Sequence, residues 1–167
     1  MFCSMENEGD EVVLSFAKAG YQTFILQYTV GTTCGENDSR HPAQLRDLGK
    51  AMLIIHENAE KWHIDPKRIS IVGFSAGANL CANMAVHWHE PVLSEFFGVD
   101  KKCFKPLGVM LGYPLTDYTY QGQYEETLPP NPMLLAGNNT IFGTPTPSQE
   151  QRDMMSPYLY VSKKTPP

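Results

Sequence analysis

Residues Gly73-Phe74-Ser75-Ala76-Gly77 set one serine between two glycines, directly after an apolar run containing Ile69, Ile71 and Val72. A serine hydroxyl is a weak nucleophile until a base takes its proton and a third group orients that base. The order of residue types predicts a strand ending at Phe74, a tight turn at Ser75 and a helix from Ala76. In such a turn the serine backbone is strained and its oxygen projects outward. Glycines at 73 and 77 are expected to prevent a collision where strand and helix close up. The Ala76 amide would then face an oxyanion forming on an attacked carbonyl, helped by the positive end of the helix. A plainer reading stays open, in which Ser75 only caps that helix.

A nucleophile needs partners, and the five histidines are the first place to look. His87 and His89 fall near the far end of the helix that starts at Ser75. Twelve residues at about 1.5 Å each put His87 roughly 18 Å from the serine, far beyond the ~3 Å a general base requires. Two apart on one helix, they also face different sides, which argues against a shared metal. His56 and His63 belong to the preceding helix and its exit, and read as solvated groups. His41 sits in a polar loop and is the least excluded. Among acids, Asp117 follows a strand at its C-terminal end and is a weak alternative for the orienting carboxylate. Asp65, before Pro66, reads as a turn residue. Asp47 reads as a surface group opposite an apolar helix stripe.

The elements that must position Ser75 follow from periodicity. Val12, Val13, Phe16 and Ala19 recur at helical spacing, with Ser4 as a possible cap and Gly20 as a stop. YQTFILQYTV (21–30), rich in β-branched and aromatic residues, predicts a buried strand. Residues 31–42 read as a loop, and Pro42 suits a first helical turn. Leu45, Leu48, Met52, Ile55, Ala59 and Trp62 make one apolar helical stripe, with Glu57 and Lys61 as an i, i+4 pair on the other face. RISIVGF (68–74) is the next strand, residues 75–88 a small-residue helix, and PLGVMLGYP (106–114) a third strand whose glycines imply close backbone approach. Beyond Pro114 the chain is proline-rich, and 115–155 reads as a lid-like excursion of loops and short helices. Helix and strand alternate, so the fold class is α/β, with right-handed crossovers and a mostly parallel sheet.

Composition narrows the function classes. The 167 residues suffice for one domain with a buried core. Hydrophobic residues form 42% and charged residues 19%, which excludes wholesale disorder. A net charge of −5 argues against a nucleic-acid partner. No apolar run approaches the ~20 residues that span a bilayer, and the first residues have neither the basic nor the apolar part of a signal peptide, so a cytoplasmic location is expected. Cys3, Cys34, Cys81 and Cys103 form no C-x-x-C pair and read as reduced thiols.

IDPKRISIVGFSAGANL resembles the serine-nucleophile segment of the α/β-hydrolase superfamily. More narrowly, the chain is similar to bacterial acetyl esterases and acetyl xylan esterases, related to the feruloyl and acetyl xylan esterase group. The likeness runs in order through the FCSMENEGDEVVLSFAKAGYQTFILQYTVG opening, the HPAQLRDLGKAMLIIHENAEKWHIDPKRI helix, the serine turn, LGYPLT and the closing SPYLYVSKKTPP. The serine turn is its specific part. The resemblance implies a three-layer α/β/α arrangement and a nucleophile–acid–histidine order in which acid and histidine follow Pro167. It also implies a glycine-rich turn before Met1 that supplies the second oxyanion amide. On that reading the 167 residues are an internal fragment, inactive and poorly soluble alone, and a strand preceding Met1 separates 21–30 from 68–74.

The implied activity is hydrolysis of short acyl esters, acetyl groups on sugars or xylan-derived oligosaccharides, by Ser75 with the Ala76 amide as half of the oxyanion hole. No metal or organic cofactor is implied, and the expected partner is a small ester substrate. A peptidase or amide hydrolase of the same superfamily, or a non-catalytic fragment, would carry the same turn. Tyr118, Tyr120, Tyr124 and Phe142 either wall a pocket or only pack the excursion.

Overall fold

The computed structural model describes residues 6–30 and 40–167. Its centre is a parallel pair, β1 (Ser70–Phe74) and β2 (Gly108–Gly112), in unbroken register from Ser70 opposite Gly108 to Phe74 opposite Gly112. Alternation divides the pair into two faces. Ile71 and Val109, one register pair, join the core; Val72 and Met110, the next, are exposed at 38% and 52%.

Helix α3 (Ala76–His87) packs on the core-facing side, in contact with both strands. Its small residues allow that closeness, and Ala78 and Met84 are fully buried. Helix α2 (Ala43–Glu57) packs on α3 and turns Leu45, Leu48, Met52 and Leu53 into the core. The stripe continues beyond the helix end: Ala59 is buried and Trp62 meets the Phe24 ring at 5.2 Å. Pro42 occupies the N-cap position of α2, one residue before the expected first turn. Because α2 ends at Glu57, Lys61 lies outside it, and Glu57 instead lies 3.9 Å from the exposed Lys50, a pair worth little in water.

At the N-terminal side, a π-turn (Glu6–Asp10) leads into α1 (Glu11–Lys18). Gly20, at φ +89°, ends it: Gly20 N–H donates to Ala17 O and Tyr21 N–H to Phe16 O, the pairing that closes a helix on a left-handed residue. Ser4 and the cysteines at 3 and 34 lie outside the described residues, as does most of the 31–42 loop.

The strand expected over 21–30 is not formed. The segment has no ladder partner among the described residues. Leu26 and Tyr28 pack against the core, while Tyr21, Phe24 and Ile25 stay exposed. Propensity makes a chain extended; only a neighbouring strand makes it a strand.

After α4 (Pro91–Phe97), a 3-10 turn (Lys101–Phe104) and β2, residues 115–155 fold as α5 (Tyr118–Glu126), α6 (Pro132–Phe142) and α7 (Gln149–Met154). A 3-10 turn over Pro157–Tyr160 follows. Among the described residues no helix is long and apolar enough to cross a membrane.

Candidate active site

Ser75 stands at the C-terminal end of β1 with φ +50° and ψ −115°. That is a conformation an L-residue adopts only when its surroundings enforce it. The enforcement is visible on both sides. Ser75 N–H donates to Gly112 O at 3.0 Å, extending the β1–β2 ladder by one bond, and Ser75 O accepts the first bond of α3 from Asn79 N–H at 3.0 Å. The side chain is exposed and makes no cap hydrogen bond. A capping serine has extended backbone and a hydroxyl turned back onto the helix. Ser75 has neither.

Gly73 makes the junction possible. A Cβ there would lie 2.2 Å from Gly77 O, so any side chain would force β1 and α3 apart. The collision expected at Gly77 is absent: among the described residues a Cβ there meets only the Tyr28 hydroxyl, at 4.0 Å. The reason is direction, since Gly77 turns its backbone oxygen, not its Cα hydrogen, toward the strand. Close approach also explains Gly112, whose Cβ would lie 2.3 Å from the Phe74 ring. Next to it Tyr113 holds φ +39°, unusual for a bulky residue. Both paired strands therefore end in a strained residue.

Ala76 is the first residue of α3, so its amide has no partner within the helix. It borders a cavity of about 80 Å³ that Tyr28, His41, Asn79, Asn83 and Tyr118 also line. The space suits a small group. His41 thus shares a wall with Ala76, but burial, with His87 and Arg46 nearby, lowers its pKa to about 4. Such an imidazole is neutral and a weak proton acceptor. Among the described residues nothing hydrogen-bonds the Ser75 side chain.

The other candidate residues are occupied elsewhere. His87 lies at the far end of α3, its ring 4.6 Å from Tyr160 and its Nδ1 3.1 Å from Glu90 Oε1 at a poor hydrogen-bonding angle. His89 lies beside Trp88, His63 is exposed and His56 half-buried in the last turn of α2. Asp117 caps α5, accepting from Tyr120 N–H at 2.8 Å. Asp65 forms the expected turn, accepting from Lys67 N–H at 2.9 Å. Asp47 corrects its expectation: it is half-buried and accepts from Thr29 N–H at 2.7 Å, a bond from a segment that joins no ladder among the described residues. Burial pushes the Cys81 thiol up to about 12, which makes it an inert apolar filler; Cys103 is also free. No group of three or more metal-ligating side chains occurs among the described residues.

The four aromatics divide. Tyr118 is buried edge-on against Phe142, 5.4 Å between centroids, and packs the interior. Tyr120 and Tyr124, 70% and 58% exposed, border an open groove of about 590 Å³ with Pro114, Asp117 and Glu125. Sequence reading did not single out Asn79, Asn83 or Tyr113. Asn79 and Asn83, one turn apart on the helix that opens at Ser75, were the legible signal.

Endo-1,4-beta-xylanase B of Butyrivibrio fibrisolvens is 33% identical over 140 residues, 79% of this chain and 20% of that protein. The acetyl ester-xyloside bifunctional hydrolase of Caldicellulosiruptor lactoaceticus superposes with a TM-score of 0.68 at 24% identity, covering 95% of this chain and 52% of that one. A carboxylesterase of Lactobacillus plantarum gives 0.72 at 24% identity, over 97% and 52%. The chain therefore spans about a fifth of the curated relative and about half of each structure. The superpositions show the α/β-hydrolase fold, of which the described sheet and helices are part. A family model described as BD-FAE matches residues 3–167, and the chain belongs to the BD-FAE family.

Proposed function

We propose that these residues are the nucleophile-bearing part of a serine carboxylesterase that removes short acyl groups, acetyl above all, from sugars or xylan-derived oligosaccharides. The observation that carries the reading is the Ser75 backbone: φ +50°, ψ −115°, locked between a strand ladder and a helix start, with a hydroxyl that caps nothing. Family membership and relatives named as a xylanase and a xyloside-acting acetyl ester hydrolase support the substrate class.

In the reaction, Ser75 Oγ attacks the ester carbonyl carbon as its proton passes to a histidine. The tetrahedral oxyanion accepts from Ala76 N–H, where the α3 dipole adds favourable potential. The histidine then protonates the leaving alcohol, the C–O bond to it breaks, and an acyl-serine remains. Water, deprotonated by the same histidine, releases the acid and restores Ser75. The nucleophile–acid–histidine order that the resemblance implies assigns that histidine and its acid to polypeptide following these residues; among the described residues His41 is a weak acceptor and Asp117 is engaged as a cap. The separate 167-residue piece is accordingly inactive.

In the complete protein, Ser75→Ala is expected to lower kcat/KM on an acetylated xylo-oligosaccharide by about 10⁴-fold. Undiminished cleavage by that variant would refute the assignment. Faster cleavage of an acetanilide than of the matching acetyl ester by the unmodified protein would replace the ester reading with amide hydrolysis.

A further inference from the structure

Asn79 ties the helix that opens at Ser75 to two distant carbonyls. It lies one helical turn after Ser75 and is 4% exposed. Its backbone N–H donates to Ser75 O at 3.0 Å. Its side-chain amide donates one hydrogen to Leu115 O at 2.7 Å and the other to Met155 O at 3.2 Å. Those carbonyls are the two roots of the 115–155 excursion. The amide orientation is dictated, because Asn83 Nδ2 donates to Asn79 Oδ1 at 3.1 Å, and a flipped amide would set oxygen against two carbonyls.

The bonds close a ring. Ser75 N–H reaches Gly112 O, three residues of chain lead to Leu115, Leu115 O returns to Asn79, and Asn79 N–H returns to Ser75 O. Beside it the neck of the excursion is tied again. Tyr118 N–H donates to the fully buried Ser156 Oγ at 2.9 Å, and Tyr158 N–H to Thr116 O at 3.4 Å.

We propose that Asn79 is a positioning residue: it clamps both roots of the 115–155 excursion to the helix that carries Ser75, and so sets which esters fit beside the serine. The proposal rests on Ser75 as nucleophile. Asn79 touches no reacting atom; it acts through the wall it holds, so its loss changes discrimination between substrates more than the reactivity of the serine.

Asn79→Asp in the complete protein tests this, since it places a carboxylate with no hydrogen against two carbonyl oxygens. With an acetylated xylo-oligosaccharide, kcat/KM is expected to fall at least about tenfold, chiefly through KM. With 4-nitrophenyl acetate, too small to need the wall, it should change less than about threefold. Amide exchange at Tyr118 and Tyr158 should quicken. Asn79→Ser, which keeps a single donor, should fall between, and it decides the matter by the same ratio if Asn79→Asp does not fold. An equal loss on both substrates, or none on either, overturns the proposal. An active Ser75→Ala would overturn the nucleophile reading and leave the clamp to be judged by exchange alone. Unaltered exchange in Asn79→Asp overturns the clamp whatever the serine does.

Discussion

Residues 21–30 and residues 70–74 are both rich in apolar residues, yet only the second is a strand. β1 has β2 beside it in full register, and a helix laid over one face. Segment 21–30 has comparable β propensity and no ladder partner among the described residues. Its backbone takes a substitute, the Asp47 carboxylate, and its rings take what helix α2 and its exit provide, as Phe24 does against Trp62. Sheet formation is a statement about pairs. The functional consequence follows directly: the paired segment can hold a strained serine at its end, because ladder and helix bonds on either side absorb the cost.

The strongest way to break the paired junction is Gly73→Ala. Its methyl would lie 2.2 Å from Gly77 O, where backbone cannot yield cheaply. A loss of about 3 kcal/mol or more is expected, read by thermal or denaturant melting of the complete protein. A near-neutral Gly73→Ala would mean that strand and helix are not closed as described.

The segment outside the ladder breaks more gently. Asp47→Ala removes the acceptor of Thr29 N–H and should cost about 1.5 kcal/mol, with faster amide exchange confined to the neighbourhood of Thr29. Loss of protection along β1 instead would show that the two segments depend on each other.

Acid probes the same side of the molecule through His41. Its folded pKa of about 4 lies below the ordinary 6.5, so between these values the unfolded chain binds a proton that the folded chain refuses. Stability should therefore decline as pH falls from about 6.5 toward 4, and His41→Gln should flatten that decline. An unchanged slope in the variant would place the imidazole in solvent. Last and smallest is Gly77→Ala, expected to shift stability by less than about 1 kcal/mol, because among the described residues its Cβ meets only the Tyr28 hydroxyl at 4.0 Å.

What the sequence discloses is what local chemistry decides. The turn at Ser75 follows from an apolar run, two glycines and a small-residue helix, and β1, α3 and β2 form within two residues of their expected ends. Gly20 and Asp65 act as expected for the same reason, since each works within a few residues of itself. What the sequence hides depends on distant chain. Nothing in YQTFILQYTV says whether another strand lies beside it. Nothing near Asp47 says that its carboxylate meets Thr29, eighteen positions away. The glycines at 73 and 77 look equivalent in the motif, and only the direction of the Gly77 carbonyl separates them. Tyr118 and Tyr120 are two apart, yet one faces Phe142 and the other solvent, a choice made by the packing of α5 on its surroundings.

The central claim concerns a covalent bond, and the most direct test is to catch it. The complete protein, quenched in acid while turning over an acetyl ester and then digested, should carry one acetyl group on Ser75 in the peptide spanning the strand–helix junction. Sustained turnover with Ser75 unmodified, or with the acetyl group on a different side chain, would contradict the account.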